Sequence, residues 1–294
     1  MEMNGVLSGC SIYKNKEVGF FAFEPIGNIG ESVLRVIVDS NWHMYTLEPK
    51  WNISGMAGAK YNENDDWVIV ASSSEGNLWE LTPGNKLQQE LKIEGDYSGI
   101  TKLATIENCI WACGMDRLLL KREFNGVWND YSAPKAELSE GVIGFTAIGN
   151  SIEYGIIAVG WKGEIWSFKD QKWKKQITET QENLNAISVE ENGKIIVVGD
   201  NGTIIVGENN IWTKIEVSKD INLQGVCHFK DEIFICSDFE IFKLENNKLI
   251  PENRFDNGDL PKTTLNLFTG QNVVYSQGEN DVFMYSENNW KRKF

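Results

Sequence analysis

Residues 194–215, KIIVVGDNGTIIVGENNIWTKI, divide cleanly into apolar runs and polar turns. A β-branched run (Lys194 to Val198) meets the turn Gly199-Asp200-Asn201-Gly202. A second run (Thr203 to Val206) and another polar turn follow, and then Trp212-Thr213-Lys214-Ile215. The preceding NLNAISVEENG reads as a further short strand with its own turn. Short β-rich runs bounded by Gly, Asn and Asp predict an antiparallel meander of four strands, a to d.

The same grammar recurs along the chain, and a repeat of fixed period decides the whole fold. Upstream copies are EYGIIAVGWKGEIWSFKDQKWKKQI (153–177), ENCIWACGMDRLLLKREFNGVWNDY (107–131), DDWVIVASSSEGNLWELTPGNKLQQEL (65–91) and SVLRVIVDSNWHMYTLEPKWNI (32–53). Downstream are DEIFICSDFEIFKLENNKLIPEN (231–253) and QNVVYSQGENDVFMYSENNWKRKF (271–294). A large apolar residue opens each fourth strand: Trp51, Leu87, Trp128, Trp173, Trp212, Leu249 and Trp290, at intervals of 36, 41, 45, 39, 37 and 41. A period near forty with four short strands predicts an all-β fold, a seven-bladed β-propeller of four-stranded antiparallel blades. Expected blades span 18–53, 56–93, 98–131, 142–177, 183–217, 222–253 and 264–294 of one domain, with VGFFAFE (18–24) as the first inner strand. Residues 1–17 are left as an extra strand or closure segment, which pairs with the last blade or caps the ring.

The stretch VGDNGTIIVGENNIWTKI resembles the repeat of bacterial neuraminidase-type (BNR/YVTN-like) and photosystem II assembly-factor-like propellers. There a glycine-bracketed hairpin precedes a polar turn and a Trp. The family's Asp box is degraded: YSENNW (285–290) and SFKDQKW (167–173) keep the Ser and the Trp but lack the Gly. The resemblance implies the fold class, and activity does not follow from it.

Composition narrows the function. A hydrophobic content of 41 % with eleven Trp belongs to a packed globular protein. A formal charge of −14 argues against nucleic acid or an anionic membrane as partner and for a basic protein. The sequence shows no basic leader and no apolar run of membrane-spanning length, which points to the cytoplasm. The five cysteines (Cys10, Cys109, Cys113, Cys227, Cys236) are odd in number, lack metal-ligand spacing and are read as reduced thiols.

No catalytic constellation emerges. Propeller sialidases need an arginine cluster, and none of the five arginines falls on an expected inner strand. Two histidines, His43 and His228, are too few for a three-histidine metal site or for activating a seryl or thiol nucleophile. The turns GDNG and GENDV are explained by hairpin geometry rather than phosphate binding. No cofactor, catalytic residue or metal ligand is assigned. Asp238 and Asp281, in oxygen-rich turns, read as solvated acids more readily than as calcium ligands.

In a meander, the b–c turn and the link from d to the next a emerge at the same end. The expected b–c turns carry Asp39, Glu75, Asp116, Asp200, Asp238, Glu279 and Asp281 against Arg117 and Lys162. With the d–a links this end holds sixteen acids and six bases, a net of −10 that leaves −4 elsewhere. Trp161 and Phe239 stand at the same tips as candidate contact residues. The expectation is a non-enzymatic propeller whose acidic face binds a basic protein. One form is an immunity protein neutralising a cationic toxin, such as a nuclease. The alternative is a glycan-binding or glycan-hydrolysing propeller with ligand at the channel mouth.

Overall fold

A computed structural model describes residues 3–13, 17–25, 32–38, 41–45, 51–60, 67–82, 87–92, 99–135, 141–217 and 220–294. They form two compact units, Met1–Ala136 and Glu137–Phe294.

The first unit contains three four-stranded antiparallel sheets, each a simple meander. Blade 1 is β1 (Met3–Tyr13), β2 (Glu17–Pro25), β3 (Val33–Val38) and β4 (Asn41–Tyr45). Blade 2 is β5 (Gly55–Ala59), β6 (Val68–Ser72), β7 (Asn77–Thr82) and β8 (Leu87–Lys92). Blade 3 is β9 (Ile100–Ile106), β10 (Cys109–Gly114), β11 (Leu118–Arg122) and β12 (Trp128–Asp130).

The second unit contains four such sheets. Blade 4 is β13 (Phe145–Ser151), β14 (Gly155–Gly160), β15 (Ile165–Lys169) and β16 (Lys172–Lys175). Blade 5 is β17 (Leu184–Val189), β18 (Ile195–Gly199), β19 (Ile204–Glu208) and β20 (Ile211–Ile215). Blade 6 is β21 (Gly225–Phe229), β22 (Glu232–Cys236), β23 (Ile241–Glu245) and β24 (Lys248–Pro251). Blade 7 is β25 (Asn266–Thr269), β26 (Val274–Gln277), β27 (Val282–Ser286) and β28 (Asn289–Arg292).

The sequence register fails in blade 1 by one strand. Residues 3–13 are neither cap nor fastener but strand a, paired with β2 from Met3↔Pro25 to Tyr13↔Glu17. VGFFAFE is therefore strand b. The reason lies in burial: Phe20, Phe21, Ala22 and Phe23 are all buried, like Ile195 to Val198 of β18. A strand covered on both faces reads as a continuous apolar run, whereas strands a carry Gly and polar residues. Trp51 follows β4 instead of opening it, and Ser32 Oγ donates to its carbonyl at 3.1 Å. The other six markers lie first or second in their fourth strands.

Each apolar cluster draws on two neighbouring sheets. One joins Ala147, Ile157 and Val159 of blade 4 to Ile195, Val197 and Ile205 of blade 5. Another joins Phe234 and Cys236 of blade 6 to Val274, Phe283 and Trp290 of blade 7. A lone four-stranded sheet buries little, so packing against the next sheet supplies the hydrophobic stabilisation. The c–d hairpins of the second unit turn on residue pairs with φ between 48° and 62°, including Asn209-Asn210 and Asn246-Asn247. These are the left-handed positions of two-residue hairpins, where Asn is tolerated.

Candidate protein-binding surface

Among the described residues, two designs of b–c tip recur. In blade 5, Gly199 lies so close to strand a that a Cβ there would stand 2.0 Å from the Asn183 carbonyl. The next amide, of Asp200, donates to that same carbonyl at 2.9 Å. Met115 and Trp161 repeat this bond to Gly99 at 2.9 Å and Gly144 at 3.1 Å. Blades 2 and 6 place serine at the corresponding point. Ser73 Oγ accepts from the amides of Glu75 and Asn77 at 3.2 Å each. Ser237 Oγ accepts from those of Phe239 at 3.3 Å and Glu240 at 3.1 Å. A hydroxyl that satisfies backbone donors replaces the contact with strand a.

Among the tip residues expected to bind, Glu75, Asp116, Phe239 and Glu279 are exposed. Asp200 and Asp238 are half-buried and hold structure. Asp200 accepts from Asn183 Nδ2 at 3.0 Å and Asn185 Nδ2 at 2.8 Å, and Asp238 accepts from Gln224 Nε2 at 2.8 Å. Asp281 is buried: Lys262 N donates to Oδ2 at 2.6 Å and Arg292 Nη1 at 3.3 Å. Trp161 is half-buried in a 3-10 turn, Trp161–Gly163. Asp39 lies outside the described residues. In blade 1, β3 and β4 are strands c and d rather than b and c.

Charge is uneven along the second unit. A cavity of 460 Å³ beside the blade 4 tip is lined by Lys162, Glu164, Lys175, Ile177 and Thr180 among others. Lys175 Nζ sits 2.8 Å from Glu164 Oε1, so this stretch carries no excess of acid. Acid gathers instead on the tips and links of blades 5 to 7, where Asp220, Glu240, Asp256, Asp259 and Glu279 are exposed. Glu240, outside the expected set, was legible as the residue after Phe239. Asp259 is held below the usual carboxylate range by hydrogen bonding from Arg292.

Elsewhere, ionisable groups serve packing. Burial pushes the thiols of Cys10 and Cys113 up to about 12 and that of Cys227 higher still, so they stay protonated near neutral pH. All five cysteines are free. His228 is half-buried on β21, with its amide on Ser188 Oγ at 2.9 Å, and His43 belongs to β4. Among the described residues no three His, Cys, Asp or Glu gather as a metal site, and no helix is long and apolar enough to cross a membrane.

The fold is a seven-bladed β-propeller of four-stranded antiparallel blades, and solved propellers match nearly its whole length. YCF48 bound to D1 peptide superposes with TM-score 0.71 at 12 % identity, over 97 % of this chain and 95 % of that one. YCF48 from Cyanidioschyzon merolae gives 0.69 at 12 % identity, over 97 % and 96 %. The computationally designed Ika8 protein gives 0.61 at 12 % identity, over 97 % of each. The photosystem II assembly-factor-like propeller repeat read from the sequence is thereby borne out as fold. No family model matches the chain. Immune protein Tsi7 of Pseudomonas aeruginosa is 30 % identical over 277 residues, 85 % of this chain and 87 % of its own length. The chain belongs to the Tsi7 immune protein family.

Proposed function

We propose that this propeller is an immunity protein that neutralises a basic protein toxin by binding it, without catalysis, in the cytoplasm of the producing cell. The observation that carries the reading is the 30 % identity to immune protein Tsi7 across 85 % of the chain. The acidic tips and links of blades 5 to 7 supply the attraction that steers a cationic partner, and apolar tip residues supply the contact that holds it. The first strand of every sheet lacks arginine, which speaks against a sialidase-type arginine cluster there.

The test is co-expression with the product of the adjacent reading frame, scored by cell survival and by binding of the purified pair. Survival with the chain and death without it support the reading; equal death in both sinks it. Charge reversal at exposed Asp220, Glu240 and Glu279 should slow association and flatten its dependence on salt. Asp200 is unsuitable for this purpose, because Asp200→Lys would also break its bonds to Asn183 and Asn185.

A further inference from the structure

Phe239 is 66 % exposed, yet its backbone is among the most tightly held of the tips. Ser237 Oγ takes the amides of Phe239 and Glu240, and Ser237 N donates to Glu240 O at 2.9 Å. From the following link, Thr264 N donates to Asp238 O at 2.8 Å and Thr264 Oγ1 to Ser237 O at 2.8 Å. Gln224 fixes the Asp238 carboxylate from the other side. Leu265, next after Thr264, is 42 % exposed. A large aromatic ring is thus presented to water on a turn whose ordering is already complete.

Exposure alone does not distinguish this residue, since Phe124 is 74 % exposed on the c–d connection of blade 3. Two features do. The first is rigidity, which reduces the entropy lost when a side chain is immobilised in an interface. The second is charge: the tip reads Ser237-Asp238-Phe239-Glu240, an aromatic ring between two carboxylates with no base in the turn. An aromatic face flanked by carboxylates suits a guanidinium or ammonium group, which the ring attracts through its quadrupole and the acids through their charge.

We propose that Phe239, with Leu265 beside its turn and Asp238 and Glu240 flanking it, is the anchor at which a basic loop of the protein partner docks, an arginine or lysine lying on the ring. This rests on the protein-binding reading above and names the point on the surface where that binding is concentrated. The aromatic anchor supplies affinity and the surrounding acids supply orientation.

The experiment measures binding of a fluorescein-labelled hexapeptide of alternating Arg and Gly to the full chain by anisotropy at low salt. Wild type, Phe239→Ala, Phe239→Tyr, Phe124→Ala and Asp238→Asn/Glu240→Gln are compared, each checked for an unchanged melting temperature. The expected result is about three- to tenfold weaker binding for Phe239→Ala, retention in Phe239→Tyr and Phe124→Ala, and loss of salt sensitivity in the double amide variant. Wild-type affinity in Phe239→Ala, or equal losses in Phe239→Ala and Phe124→Ala, overturns the anchor. A second arm scores toxin neutralisation. Full protection by Phe239→Ala overturns the anchor while the immunity reading stands. Failure of the wild type to protect removes the immunity reading, and the peptide arm still decides the anchor.

Discussion

Arg122 of β11 reaches to Glu80 of β7 in a two-pronged ion pair, Nε to Oε1 at 2.6 Å and Nη2 to Oε2 at 2.8 Å, with both side chains about 5 % exposed. It pins the third strand of blade 2 to that of blade 3 in a place closed to water. Removing the carboxylate strips the buried Arg122 guanidinium of its counter-charge, so Glu80→Ala should destabilise by about 3–5 kcal/mol. The double variant Glu80→Leu/Arg122→Met should recover most of that loss. Denaturation of the two single variants and the double variant, closed as a thermodynamic cycle, measures the coupling.

Strand-end glycine is a steric requirement at position 199. A methyl group there would stand 2.0 Å from the Asn183 carbonyl, so Gly199→Ala must displace backbone, at a cost of about 1–3 kcal/mol. Gly193 has open space and only its φ of 90° against it, so Gly193→Ala should lose less, about 1 kcal/mol. Melting temperatures of the two variants in parallel decide the order.

Trp290 is fully buried where blades 6 and 7 meet, stacked on Phe255 with centroids 6.2 Å apart and edge-on to Phe234 at 5.5 Å. Trp290→Ala should cost about 3–5 kcal/mol. Trp212, at the equivalent point of blade 5 but only half-buried, should cost less on the same change. Chemical denaturation of both variants checks the contrast.

The link after blade 6 gives a pH dependence. Burial pushes the Glu252 carboxyl up, but hydrogen bonds from the Arg254 side chain, at 2.6 Å, and from two backbone amides overcome this and leave it below its ordinary range. A depressed folded-state value means the group adds stability above its unfolded value of about 4 and loses it as pH falls through the folded value. Glu252→Gln should therefore melt below wild type at pH 7, and the gap should narrow as pH is taken down to about 3. A gap that stays constant over that range counts against the assignment.

The propeller was legible because its signals are local. Alternating turn chemistry and continuous apolar second strands depend on residues a few positions apart, and Trp128, Trp173, Trp212 and Trp290 mark the recurrence of that local unit along the chain. In blade 1 the position of Trp51 and the burial pattern of VGFFAFE point to different registers, and burial sets the observed one. The candidate surface was less legible, since an acid in a turn sequence has the same letter whether it faces water or holds a neighbour. Asp281 reads like Glu279, two residues before it; one is buried against Lys262 and Arg292, and the other is exposed.

By itself the sequence determined the repeat, the four-stranded unit and the excess of negative charge, because periodicity, turn residues and net charge are properties of the chain. Which tip residues face water was set by the tertiary structure. Asp200 is tied to asparagines of its own first strand, while Phe239 is held out by a serine turn and by Thr264, which lies 25 residues further along the chain. Exposure depends on contacts between distant segments, and those contacts exist only once the blades have packed.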